Sequence, residues 1–435
     1  MEYDIIKLLH LEDYEPLIES IQVTKDENKL NCYISLHRTH QSCPFCGGLE
    51  LVVHDYRNKT MKHSYSTNTP CFLIYKARRY QCKYCHKIFY ELNPFSTHYN
   101  KTTHYTRLHI LDELKSHTAT FTSVADMYKI NKMSAIRYFD SYIDCERKDL
   151  SSVICIDEFY TSRKSNEKYA CVLVDFLSKN IIDIYSSRHK HYLGSKLSLI
   201  PKVERDRVKA VVIDMWDSYK ILAKIYFKNA CIAVDSFHII QHLNKAIIDI
   251  RLRVMRKFDK HTDTLEANDI YYYMLKRFHY FFVKDFESIY TGLIEIRKMK
   301  TKWKKEEILK YLLSLDSDLD YAYRLKEKYR EFNKAANYET CDEELNELIH
   351  QFQDSHIDGY REFGYMIGRW KDEIKNSLIT YDGRRLSNGV IEGVNSRIKT
   401  ILKNANGYTN FRRLRNRIMY SINKNVPIKN KPIKL

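Results

Sequence analysis

Glycine and proline are scarce in this 435-residue chain, at 11 and 7 residues, which disfavours an all-β or linker-rich protein. No apolar run approaches the ~20 residues of a membrane-spanning helix. The Met1-Glu-Tyr-Asp start lacks the basic region and apolar core of a secretory signal, so a cytoplasmic protein is expected. Acids are in the minority, 55 against 72 lysines and arginines, a net charge of +17. That excess suits an acidic polymer, nucleic acid first, although a ribosomal or membrane-surface protein shares it. What is present is enough for roughly two to four domains with a sizeable core, since 44% of residues are hydrophobic. Eleven cysteines in such a chain are expected to be reduced, and clustered ones to be metal ligands.

Two clusters stand out. Cys43-Pro-Phe-Cys46 and Cys82-Lys-Tyr-Cys85 are paired Cys-x-x-Cys turns with 35 residues between them. Each turn directs two thiolates at one ion, and two turns complete a tetrahedral four-sulfur zinc site. Gly47-Gly48 suits the tight turn. Strands over 51–54 and 72–80 are expected to bring the turns together. Zinc would then stabilise a module too small to do so by burial alone, presenting Lys76, Arg78 and Arg79.

Residues 104–145 read as three helices. Leu108, Leu111 and Leu114 mark the first, Thr122 or Ser123 caps the second, and Ser134 begins the periodic part of the third. Short helix, turn, helix is the helix-turn-helix pattern, with Lys132, Ser134 and Arg137 facing DNA, and it is also the pattern of an ordinary helical hairpin.

From Val153 strands and helices alternate. Val153–Asp157, Tyr169–Phe176 and Ile181–Ser186 are expected in hairpin order, with a turn at Ser178-Lys-Asn. A helix over 191–199 stops at Pro201, and strands follow at Ala210–Asp214 and Ala230–Asp235 with a helix over 218–227 between them. This is a mixed five-stranded α/β sheet, the first three strands antiparallel and the last two parallel to strand one. Asp157 and Asp214 then leave the sheet at one edge. Two carboxylates so close repel unless a divalent cation lies between them, and hard oxygen ligands select Mg²⁺ or Mn²⁺. Alternation puts Asp157 on one side of its strand and Glu158 on the other. Asp235 and His238 form Asp-x-x-His, suited to a place beside a phosphate or to a structural hydrogen bond.

Residues 239–380 carry helical spacing almost throughout and no internal repeat. Trp303 and Trp370 suit core packing or a stacking platform for a base. A last helix over about 388–403 places Glu392, Asn395 and Lys399 on one face, which suits a metal and a phosphate. Arg412, Arg413, Arg415 and Arg417, mixed with Tyr408, Phe411 and Tyr420, suit a nucleic-acid backbone. The final residues carry lysines and no acid and read as a basic tail.

In order, the paired knuckles, the helix-turn-helix pattern, Ile-Asp-Glu-Phe, Ile-Asp-Met-Trp-Asp-Ser-Tyr, Val-Asp-Ser-Phe-His and Ser-Asn-Gly-Val-Ile-Glu-Gly-Val-Asn-Ser-Arg-Ile-Lys resemble the ISL-three family of bacterial insertion-sequence transposases. The resemblance implies a DDE enzyme with a ribonuclease-H-like core and a Mg²⁺-binding triad of Asp157, Asp214 and Glu392, supported by Asp235, His238, Asn395 and Lys399. It implies the following division: a zinc module over 1–100; a helix-turn-helix over 101–147; a core over 148–240 and 381–425; an all-helical insertion over 241–380; and a tail over 426–435. The implied activity is cleavage and strand transfer at terminal inverted repeats by a homodimer or larger assembly. A DNA-binding regulator with an inactive core is the alternative.

Overall fold

In the computed structural model, which describes residues 2–26, 28–38, 42–64, 69–97, 100–161, 167–258, 266–285 and 292–429, the chain divides into two units. The first is Met1–Glu146 with Arg397–Leu435, and the second is Arg147–Ser396.

The first unit begins with α1 (Glu2–Leu8) and a five-stranded sheet of β1 (Ile18–Asp26), β2 (Lys29–Leu36), β3 (Leu51–His63), β4 (Cys71–Cys82) and β5 (Ile88–Tyr90). The order is β1-β2-β4-β3, with β5 also on β4. β2 and β4 are parallel and the other pairs antiparallel. Alternation along the first half of β4, as far as Ala77, buries Leu73, Tyr75 and Ala77 against Ile21, Cys32 and Ile34 and turns Phe72 and Ile74 to the opposite face. Both expected strands are longer than their apolar cores suggest, because the β3–β4 ladder runs unbroken in partnership from Leu51↔Cys82 to His63↔Cys71, with one irregularity near Val53.

Three helices follow: α2 (His104–Glu113), α3 (Phe121–Met127) and α4 (Lys132–Tyr142). Their caps are Thr103, Thr120 and Asn131. The second helix therefore starts before the expected Thr122 or Ser123, because Thr120 and Ser123 form a reciprocal capping box. Leu108 faces solvent, and Ile110, Leu111 and Leu114 form the buried side instead.

The second unit opens with β6 (Val153–Tyr160), β7 (Tyr169–Asp175), β8 (Ile181–Tyr185), α5 (Lys190–Ser198), α6 (Lys202–Asp206), β9 (Ala210–Ile213), α7 (Asp217–Tyr226) and β10 (Cys231–Val234). The sheet order is β10-β9-β6-β7-β8. β6, β7 and β8 are antiparallel neighbours, and β9 and β10 run parallel to β6, as the hairpin order and the later crossovers require. Pro201 ends one helix and also starts the next, where its missing N–H costs nothing.

The chain continues through α8 (Ser236–Lys257), α9 (Glu266–Arg277), β11 (Leu293–Ile296), β12 (Thr301–Lys304), α10 (Lys305–Ser314), α11 (Ser317–Ala335), α12 (Cys341–Gln353), α13 (Asp358–Arg369) and α14 (Lys371–Asn376). The expected all-helical segment over 241–380 thus contains a hairpin, β11–β12. Leu293-Ile-Glu-Ile and Thr301-Lys-Trp-Lys are short period-2 runs, and Lys300 takes the left-handed conformation (φ 52°) at the turn. Trp370 is buried, and Trp303 packs at the edge of the same core. That core is continuous from Ile154 and Ile213 in the sheet to Phe352 and Ile367 in the helices, so helical segment and sheet fold as one body. A two-residue hairpin, β13 (Thr380–Tyr381) and β14 (Arg384–Arg385), leads to α15 (Gly389–Asn404) and then α16 (Phe411–Ile422). Of the expected tail, residues 430–435 lie outside the described residues.

Candidate active site

Parallel register sets the site. Ile156 pairs with Ile213, and Ile213 with Val234. The next residue on each of the three strands is an aspartate: Asp157, Asp214 and Asp235. Three carboxylates therefore stand in one row across β6, β9 and β10. Asp157 is not at a strand end, as its sequence context suggests. β6 continues to Tyr160 along β7, and it is β9 that stops, opening the sheet beside Asp157.

Burial and mutual repulsion dominate the electrostatics. Asp157 is 8% exposed and Asp235 2%. Burial first, then the adjacent Asp214 charge, raises the Asp157 carboxyl above the usual carboxylate range. Burial also raises Asp235. His238, at the start of α8, places Nε2 3.0 Å from Asp214 Oδ1 and 3.9 Å from Asp235 Oδ2. The hydrogen bond to Asp214 pushes its pKa up to about 9, so it is an imidazolium at neutral pH.

The N-terminal turns of α15 close over this row. Asn388 Nδ2 donates to Asp214 Oδ1 (2.9 Å), the Asn388 N–H to Asp235 Oδ1 (3.2 Å), and Asn395 Nδ2 to Asp157 Oδ2 (2.7 Å). Asn388, Glu392 and Asn395 are spaced by four and three residues and share a helix face. Glu392 is exposed. Among the described residues, the group at this site whose ligand atoms all lie within 4.8 Å of one another is Asp214, Asp235 and His238; neither Asp157 nor Glu392 belongs to it. Lys399 is also exposed, beyond the residue at which the second unit ends. Asp235 Oδ2, Asn388 Oδ1 and Asn395 Oδ1 are buried oxygens with no hydrogen-bond partner. The three aspartates of the row and these three unpartnered oxygens are hard donors that fit a divalent cation, with the His238 nitrogen beside them.

Glu158 lies on the other side of β6, half-buried, with one oxygen paired to Arg188 and the other accepting from Tyr219 at 3.4 Å. Arg188 is itself stacked over Tyr169 and Trp216. Asn388 enters the sequence reading only as the start of the last helix. Its place four residues before Glu392 is the one local hint of more.

In the first unit Cys43, Cys46, Cys82 and Cys85 bring their sulfurs within 4.8 Å of one another. The β3–β4 ladder does this, since Leu51 pairs with Cys82. The two turns repeat one geometry: Gly47 (φ 74°) and His86 (φ 56°) each donate their N–H to the carbonyl four residues back, of Cys43 and Cys82. Four thiols without any disulfide fit zinc.

Lys132 and Arg137 are exposed on α4 and Ser134 is half-buried. The arginines of α16 have partners within their own unit. Arg413 grips Asp140 through Nε and Nη2, Arg412 reaches Asp144 (3.3 Å), and Arg415 donates to the Cys145 carbonyl (2.6 Å). Arg417 is fully buried and caps the carbonyls of Ser116 and Ala119, both at 2.8 Å.

Comparison with known proteins places the chain in a family. A family model described as "Transposase", of the ISL3 group, matches residues 154–418. A second, the "zinc-finger of transposase IS204/IS1001/IS1096/IS1165", matches residues 39–85. The transposase for insertion sequence element IS1001 of Bordetella parapertussis is 29% identical over 101 residues, 23% of this chain and 24% of that protein, so the chain spans about a quarter of the curated relative it matches. With more than half its length matched by the transposase model and its four-cysteine module by the zinc-finger model, the chain belongs to the ISL3 family of insertion-sequence transposases.

Proposed function

We propose that the row Asp157, Asp214 and Asp235 marks the catalytic centre of a DDE transposase that cuts DNA at the terminal inverted repeats of its element and joins the freed ends to target DNA. The observation that carries this reading is the register, which sets three buried or half-buried aspartates side by side on adjacent parallel strands. The strand order and direction suit a ribonuclease-H-like core. Asp157 and Asp214 are the metal ligands, with Glu392, on the α15 face that carries Asn388 and Asn395, as the third carboxylate. Bound Mg²⁺ or Mn²⁺ would supply an activated water or 3′-hydroxyl and stabilise the leaving oxygen of the phosphodiester.

The chain's own groups have distinct tasks. Asn395 and Asn388 fix the rotamers of Asp157 and Asp214, so the carboxylate oxygens are held before any ligand arrives. His238 holds a proton against Asp214 and lowers the net charge of the row. Lys399 extends the same helix face toward phosphate. Lys132, Ser134 and Arg137 of α4, together with Arg412, Arg413 and Arg415, are the DNA-binding set. In the last three, the hydrogen bonds within the protein brace α16 against α4, through Asp140, and against the segment that follows it, through Asp144 and Cys145. The zinc module and the α3–α4 pair recognise the element ends. Two ends must be joined, which calls for a homodimer or larger assembly, and the chain acts in the cytoplasm on chromosomal DNA. Incubation with end-labelled DNA carrying the flanking inverted repeats tests this. Nicks at the repeat ends with Mg²⁺ and none with a chelator are expected. A shifted band with no nick in any divalent metal would instead point to a DNA-binding regulator with an inactive core.

A further inference from the structure

The first unit carries a cavity that the catalytic reading does not use. A groove of 870 Å³ separates the open face of the sheet from α4 and the chain before α2. Its sheet wall is Phe72 with Thr60 and Lys62, and its helical wall is Arg137, Tyr138 and Tyr142. Lys62 and Phe72 are cross-strand partners. They also line a second cavity of 1090 Å³, whose walls include the acids Asp26 and Glu113.

Two independent observations say what the groove takes. The first is charge. Lys62, Lys101, Arg107 and Arg137 line it, and none of the described lining residues is an acid. The second is Arg107. It is 3% exposed, donates to Tyr142 Oη (2.9 Å) and to His104, and keeps a buried Nε with no partner. None of its described hydrogen bonds goes to a carboxylate. A buried guanidinium without an acid is costly unless an anion completes it. Tyr138 and Tyr142 are held in place around it: Tyr138 Oη donates to Thr102 (3.1 Å), and both rings lie against the guanidinium. The walls are therefore preformed.

An anion site flanked by aromatic rings in a groove of this size matches a short stretch of one nucleic-acid strand. Its volume is that of a small-ligand pocket, ~300–1,000 Å³, which a duplex cannot enter. Stacking on rings and a cationic track are the means by which proteins hold unpaired strands.

We propose that this groove binds single-stranded DNA, with a phosphate completing Arg107 and a base stacked on Phe72. The groove shares Ser134 and Arg137 with the α4 face assigned to duplex DNA, so Phe72 and Lys101, which lie outside that set, are the positions that separate the two; it stands or falls independently of the metal-site reading.

The test is fluorescence anisotropy of the zinc-loaded full chain with a labelled thymidine oligonucleotide of about 15 residues, against a blunt duplex of equal length. The wild type is expected to bind the single strand in a salt-dependent manner. Phe72→Ala is expected to weaken that binding about tenfold or more, as loss of one stacked base does, with duplex affinity changed less than about twofold. Phe72→Tyr keeps the ring and is expected to restore binding. Lys101→Gln, at an exposed position that does not threaten folding, is expected to weaken the single strand selectively. Equal losses for strand and duplex, no effect of either variant, or displacement of the oligonucleotide by polyglutamate of matched charge would each overturn the proposal. A protein inactive in cleavage yet selective in this assay would leave the groove intact and remove only the catalytic reading.

Discussion

Asp157 shows how one residue's meaning depends on its neighbours. In sequence it is an acid after a β-forming run, and that local pattern places it at a strand terminus. In the fold it lies inside β6, and what exposes its edge is the end of β9. No local signal carries that fact, because it belongs to a strand some fifty residues away. The same holds for Asn388 and Asn395, whose bonds to Asp214 and Asp157 depend on where α15 docks. By contrast, the assignment of Asp157 and Glu158 to opposite sides of the strand needs only the two-residue period of a β-strand. A second residue-scale case is His63. Its Nε2 meets the Leu9 carbonyl (2.7 Å) and its Nδ1 meets Thr103 (3.0 Å). Burial lowers its pKa to about 4. The unfolded chain takes up this proton below about 6.5 and the folded protein does not, so stability is full above that pH and is lost as pH falls toward 4. The loss can reach about 3 kcal/mol. Urea midpoints at pH 7 and pH 5 are expected to fall further for the wild type than for His63→Gln, and parallel slopes would show that His63 does not carry the effect.

At the scale of elements, the strands of the central sheet were legible and the packing role of Arg417 was not. Short β-branched runs ending in acids gave the central sheet its order, and the cysteine spacing gave the knuckles. The cluster over 412–417 has the composition of a nucleic-acid patch, yet Arg417 is buried and closes on the carbonyls of Ser116 and Ala119. Composition does not distinguish a cation that meets phosphate from one that meets a folded-back carbonyl. The β11–β12 hairpin was missed because four-residue strands rich in lysine and glutamate leave a weak period-2 signal. One close approach between helices makes a firm prediction. A Cβ on Gly364 of α13 would lie 2.6 Å from the Gln353 backbone nitrogen and 2.8 Å from the Phe352 carbonyl carbon. Neither backbone atom can move without displacing α12. Gly364→Ala is expected to destabilise the second unit by about 1–3 kcal/mol, read as a lower thermal midpoint. An unchanged midpoint would mean that α12 and α13 adjust freely.

At the scale of the whole molecule, the charge and the four-cysteine zinc module were legible, and the return of the last helix to the first unit was not. The second unit ends inside α15, at Ser396, and α16 belongs with the N-terminal residues. A linear reading of sequence has no means to see a last helix return to the first unit. Because the four-thiol site ties the ends of the β3–β4 ladder, zinc removal by a strong chelator is expected to lower the stability of the first unit. Measured Zn content of about one ion per chain with a chelator-induced loss of the unfolding midpoint would agree, and a chelator-insensitive midpoint would not. No helix among the described residues is long and apolar enough to cross a membrane.

The most direct test of the central claim compares DNA cleavage by the wild type, Asp157→Asn and Glu158→Gln with Mg²⁺ on DNA bearing the element ends. Asp157→Asn is expected to bind that DNA normally and to lose cleavage by at least about two orders of magnitude. Glu158→Gln, whose partners are Arg188 and Tyr219 on the far side of the strand, is expected to keep most of it. Full cleavage by Asp157→Asn would contradict the account.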